Sequence, residues 1–196
     1  MIVSDHFTQV PMLPIVIPFG ILVFGLLLWR LAVIRLVSPA RIAVAAALAV
    51  YAAGIVANTV FPIYANVSPT SEPWYTGVVF VPFADYEIGD AVLNALIFVP
   101  LSMLLTMVLA RPTWWKVLIA VTVTSLGIEL TQLAVQELFG GGHIADASDL
   151  VSNVAGGMLG FGLLALLMRV PSLARLIAHF RWSPVVDTLE PVAQST

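Results

Sequence analysis

Apolar residues in this chain do not alternate with polar ones. They come in five long blocks, over about residues 12–36, 42–62, 91–110, 114–138 and 150–170, separated by short polar or proline-marked breaks. Each block exceeds the roughly 18 residues needed to cross the hydrocarbon layer, where only a helix satisfies its own backbone groups. The pattern predicts an all-α polytopic membrane protein, a bundle of five transmembrane helices. Pro11, Pro14 and Pro18 break up the start of the first block and no basic run precedes it, so it reads as a retained helix rather than a signal peptide. After Pro171, Leu173, Leu176, Ile177 and Phe180 share one helical face, which predicts a short helix lying on the inner membrane surface. Residues 1–182 are expected to form a single transmembrane domain, and 183–196 a flexible cytoplasmic tail.

Composition agrees and narrows the class. Of 196 residues 60% are hydrophobic and 10% charged, which excludes an ordinary soluble domain and a disordered chain. With no cysteine there are no disulfides, thiolate nucleophiles or Cys-ligated metals. The basic residues set the orientation. Arg30, Arg35 and Arg41 bracket the first inter-helix turn, Arg111 and Lys116 the third, and Arg169, Arg175 and Arg181 follow the fifth helix. All fall on one side, so the rule that cytoplasmic segments carry the Lys/Arg excess places the N-terminus outside and the C-terminus inside. Trp29, Trp114 and Trp115 suit an inner aromatic belt, and Trp74 and Tyr75 the outer interface.

The outer segments then carry acids and no Lys or Arg. The 63–89 loop is long for a simple connection, which favours function. Its apolar stretch from Val78 to Phe83 either dips into the outer leaflet or forms a short strand or a loop packed on the helix tops. Inside the fourth block Thr122, Ser125, Glu129, Gln132 and Gln136 follow a 3-4-3-4 spacing, which stacks them on one helix face. Glu129 falls in the outer half of the bilayer, where an ionisable group is costly and faces the bundle or a wet cavity. A hydrogen bond that only packs helices is the alternative reading.

Helix five opens with Asp149 and Asn153 at i and i+4, with Gly156 and Gly160 continuing that face. Small residues so spaced admit a close neighbour, here expected to be helix four. Asp149 also suits a helix N-cap. Helix three opens with Asp90 and Asn94, and Pro100 predicts a kink below them. In the preceding loop His143, Asp146 and Asp149 recur every third residue. With Glu129 they permit a divalent cation without requiring one. His143 is otherwise a proton donor, a phosphate contact or an ordinary surface histidine.

The ordered set Val81-Pro82-Phe83, Asn94 with Phe98-Val99-Pro100-Leu101, Ser125 with Glu129 and Gln132, and His143-x-x-Asp146-x-x-Asp149-Leu150-x-x-Asn153 with Gly156 resembles the VanZ-like family over about residues 40–170. That family is named for a protein linked to low-level teicoplanin resistance, and broader comparisons relate it to membrane enzymes acting on lipid head groups. The resemblance implies a multi-pass protein of the bacterial plasma membrane whose polar positions are Asn94, Glu129, Gln132, His143, Asp146, Asp149 and Asn153. His143 stands where the family usually has Arg, so a fixed cation for gripping phosphate is replaced by a titratable group.

Two function classes follow. In the first, the protein is a head-group transferase or hydrolase acting on a lipid-linked phosphate or sugar at the outer leaflet. Glu129, Asp149 and His143 are its catalytic candidates, and Asn94, Gln132, Asp146 and Asn153 bind substrate. Its partner is a membrane lipid or lipid-linked envelope precursor, not nucleic acid. In the second, it is a non-catalytic binder, scaffold or small transporter that alters antibiotic access to the envelope. The two differ on whether the polar stripes converge on one pocket.

Overall fold

The computed structural model describes residues 8–65, 73–83, 87–139 and 144–183. Helices α1 (Leu13–Val33), α2 (Pro39–Thr59), α3 (Ile88–Val108), α4 (Trp114–Phe139) and α5 (Ala147–Leu167) are each long and apolar enough to cross a membrane. A shorter α6 (Pro171–Phe180) follows. The expected helical, multi-pass fold is therefore present, with boundaries within a few residues of the hydropathy blocks. Pro14 lies in the first turn of α1, where a missing N–H costs nothing, and α1 continues through Pro18. Ser38 caps α2, its hydroxyl accepting from Arg41 N, with Pro39 opening the helix.

The tightest pairing is between α3 and α5. A Cβ on Gly156 would overlap the backbone of Ala95, and one on Gly160 the backbone of Val99. A Cβ on Gly157 would run into the Val121 side chain of α4. The small-residue stripe thus seats α5 on α3, where sequence spacing pointed to α4. Of these three glycines only Gly157, one position round, faces α4. Glycine is required here because two backbones meet at a distance no side chain allows.

The two ends of the bundle differ in charge and in how they are tied. Arg30, Arg35, Arg41, Arg111, Lys116, Arg169, Arg175 and Arg181 all belong to one end. There Arg41 Nε donates to Arg181 O at 2.8 Å and Trp182 N donates to Met107 O at 2.9 Å. The Arg30 guanidinium lies 5.6 Å from the centroid of the Trp182 ring, a cation–π distance. Trp182 is only 2% exposed and joins a core that includes Leu31, Val44, Leu48, Phe98, Leu101 and Val121. On the face of α6 expected to be apolar, Ile177 is buried, Leu173 and Phe180 are half-buried and Leu176 is exposed, and the helix packs against α2. Ser183, assigned to the tail, is also held, its Oγ donating to Leu109 O.

At the other end two short strand pairs close the helix tops. Strands β1 (Thr8–Gln9) and β2 (Tyr64–Ala65) pair antiparallel. Strands β3 (Val78–Val79) and β4 (Ala145–Asp146) pair in parallel, Val79 opposite Asp146. One turn of 3-10 helix (Trp74–Gly77) leads into β3. Of the two readings of the Val78–Phe83 stretch, residues 78–79 take the strand packed on the helix tops. Phe83 follows with a φ of 62°, its N–H bound by Ser148 Oγ at 2.9 Å. A bulky residue rarely adopts that conformation unless its surroundings hold it.

Candidate functional site

The N-terminus of α5 builds the site. Asp146 precedes α5 as its N-cap, its carboxylate accepting from Ser148 N at 2.7 Å. The cap is therefore Asp146 rather than Asp149, and Asp149, within the first turn, is turned to α3. Asn94 Nδ2 donates to Asp149 Oδ1 at 2.6 Å, linking the second turn of α3 to the first turn of α5. This link forms because Gly156 and Gly160 bring the two helices together further down.

The α4 stripe is distributed among three partners. Ser125 and Glu129 are buried, and Gln132 is half-buried. Ser125 Oγ accepts from Asn153 Nδ2 at 3.0 Å. Glu129 Oε2 accepts from the backbone N–H of Asp146 at 2.9 Å. Gln132 Nε2 donates to Thr59 O at 3.0 Å, reaching the C-terminal end of α2. Its Oε1 is buried and lacks a partner among the described residues. A carboxylate binding a backbone N–H of the cap residue fixes where the α4–α5 connection enters α5.

A cleft of about 420 Å³ opens where these ends meet. Asn58 and Thr59 from α2, Asp90 and Asn94 from α3, Gln132 from α4 and Asp146 with Asp149 from the start of α5 line it. Polar stripes from α3, α4 and α5 thus converge on one cavity, as they must if polar groups among apolar helices are to find partners. The convergence is incomplete. Glu129 lines a neighbouring, apolar cavity of about 300 Å³ beside Trp74 and Phe80, which shares Val79 and Asp146 with the cleft. Asn153, 4% exposed, is engaged with Ser125 and is not among the residues lining the cleft. His143 lies outside the described residues.

The electrostatics are one-sided. Three carboxylates (Asp90, Asp146 and Asp149) line the cleft, and every Lys and Arg lies at the opposite end of the bundle. Such a cavity attracts hydroxyl and ammonium donors and repels a bare phosphate. Among the described residues no three His, Cys, Asp or Glu side chains gather as a metal site. Carboxylates and amides around a concave site can orient a polyhydroxylated ligand and exchange protons with it.

Asn58, Thr59 and Asp90 are the cleft's remaining polar residues, beside an apolar wall of Val79, Leu93, Ile97 and Ile144, and the sequence did not mark them as site residues. Asp90 shares a helix face with Asn94, so its spacing was a usable signal. Asn58 and Thr59 offer only polarity at the end of a span, a weak one.

The family model described as VanZ/LLP1 matches residues 44–168, from the first third of α2 to the end of α5, and so takes in every described residue of the cleft. Neither the comparison with curated proteins nor that with solved structures found a match.

Proposed function

Because the chain belongs to the VanZ/LLP1 family and the end of its bundle without Lys or Arg holds a cleft of amides and carboxylates, we propose that it handles the head group of a lipid or lipid-linked envelope precursor at the outer leaflet. The observation that carries the reading is the meeting of Asn94, Asp149, Asp146, Asp90 and Gln132 around one cavity. The one-sided basic residues orient that cavity outward and the C-terminus inward.

Of the two head-group chemistries, a sugar fits better than a phosphate. Hydroxyls can donate to the carboxylates and accept from the amides, and one could satisfy Gln132 Oε1. A phosphate would meet three carboxylates and no fixed cation. In a transfer or hydrolysis, Asp149 and Asp146 are placed to exchange protons at the head group, with Asn94 and Gln132 orienting it. Glu129 contributes by holding the Asp146 backbone. A role in teicoplanin susceptibility belongs to the same reading, through the envelope precursor that the cleft takes.

The non-catalytic reading also has support. Glu129 and Asn153 spend their hydrogen bonds inside the protein, on Asp146 N and Ser125 Oγ, as helix-fixing groups do.

Lipid and cell-wall-precursor profiling of cells with and without the protein tests the proposal, alongside Asp149→Asn and Glu129→Gln. The expected result is a glycosylated lipid species whose abundance changes with the wild type and not with Asp149→Asn. Identical profiles in all strains would overturn the head-group reading. A profile that shifts equally with wild type and Asp149→Asn would favour the non-catalytic one.

A further inference from the structure

An apolar groove of about 460 Å³ runs beside the polar cleft, between α1, α2 and α4. The two cavities share one residue, Thr59, and the groove reaches inward along α4 past Thr131, Gly127 and Thr124. From Thr124 to Thr131 the helix rises roughly 10 Å.

Polar residues in this wall are neutralised. Thr124 Oγ1 donates to Ala120 O at 2.8 Å, Thr131 Oγ1 to Gly127 O at 2.7 Å and Thr59 Oγ1 to Ile55 O at 2.9 Å. Each hydroxyl is consumed by its own helix, so it asks nothing of a ligand. Gly127 sits in the middle of the wall, and a Cβ there would meet no atom within 4 Å. Packing therefore does not explain this glycine, unlike Gly156 and Gly160. Its effect is to keep the groove open.

We propose that this groove holds one acyl chain of the lipid whose head group occupies the cleft. The inference rests on the head-group reading above and adds the part of the ligand that reading leaves open. An apolar wall at membrane depth, adjoining the polar cleft at Thr59, matches a molecule that is polar at one end and hydrocarbon at the other. The second apolar cavity also adjoins the cleft, at Val79 and Asp146, but at about 300 Å³ it is the smaller and offers a chain less room.

The test uses the full chain in phosphatidylcholine nanodiscs with glucosyl diacylglycerol carrying a diazirine midway along one acyl chain. Adducts are mapped to peptides after irradiation. Labelling should concentrate on Ala52–Thr59 and Thr124–Thr131 over the exposed α1 face at Leu22 and Leu26. Gly127→Leu, which fills the groove, should lower that labelling by about tenfold, the effect of excluding about two buried methylene groups. Gly127→Ala should lower it less and controls for folding. Asp149→Asn should lower groove labelling by the glucosyl probe and not by a phosphatidylcholine probe with the same chain.

Labelling that falls with Gly127→Leu but ignores Asp149→Asn sustains the acyl site and overturns the head-group reading. Groove labelling no higher than that of α1 overturns the acyl site and leaves ordinary surrounding lipid. Covalent dimers, rather than lipid adducts, from Thr131→benzoylphenylalanine overturn it in favour of a second copy of the chain.

Discussion

Asn94 and Asp149 are 55 positions apart in the chain and joined by a 2.6 Å hydrogen bond between the second turn of α3 and the first turn of α5. Neither helix places its polar residue usefully alone. Gly156 and Gly160 set the spacing of α3 against α5, and that spacing puts amide and carboxylate in reach.

Breaking this link should be costly in a characteristic way. Asn94→Leu removes a donor to the Asp149 carboxylate and should destabilise the protein by about 1–3 kcal/mol. A double-mutant cycle with Asp149→Leu, read by unfolding in detergent micelles, should give a coupling of about 0.5–3 kcal/mol. Additive single effects would show that the pair does not interact energetically.

The glycines of α5 should divide sharply. Alanine at Gly156 or Gly160 collides with α3 backbone, which a flexible side chain cannot relieve, and should cost about 1–3 kcal/mol or more. Alanine at Gly162, where a Cβ meets no atom within 4 Å, should be neutral or slightly stabilising. Thermal unfolding of the three variants checks the order. Equal losses at all three positions would contradict the α3–α5 packing.

Glu129 separates anchoring from proton chemistry. Glu129→Gln keeps an acceptor for Asp146 N and should fold normally. Glu129→Leu strands that part-buried N–H and should cost about 1–3 kcal/mol. If both variants unfold alike, the Glu129–Asp146 bond is not what fixes the start of α5.

Trp182 should behave as a core residue despite lying just past the last helix. Trp182→Ala removes a side chain that is 2% exposed and should cost about 3–5 kcal/mol. Arg30→Met, which removes the cation above the ring, should cost far less, about 0.5–2 kcal/mol. Unfolding midpoints of the two variants give the comparison. A mild Trp182→Ala would mean that residues after α6 do not hold the basic end together.

Orientation has its own measurement. Reporter fusions after Val67 and after Gly141 should both read outside, because every Lys and Arg belongs to the opposite end. A cytoplasmic signal from either would reverse the topology and move the cleft to the inner leaflet.

Hydropathy is a sum over neighbouring residues, so the five spans and their approximate limits could be read from the chain directly. The sidedness of Arg30, Arg41, Lys116 and Arg175 was equally plain, since it needs only the number of crossings between them. The i, i+3, i+4 spacing of Ser125, Glu129 and Gln132 put them on one face of α4, because one helix has one geometry. Which helix that face meets is not a local property. Glu129 and Gln132 lie a turn apart, yet one holds Asp146 N and the other Thr59 O, and so they border different cavities. Asp149 and Asn153 likewise share a face of α5 but turn to Asn94 on α3 and Ser125 on α4. Trp182 read only as the last residue of the domain and is a core residue, because the cluster it joins is assembled from α1, α2, α3 and α4. One-dimensional pattern determined the helices, their number and their charged end. Helix pairing, set by close backbone approach at Gly156 and Gly160, decided which polar residues face one another and where the cleft opens.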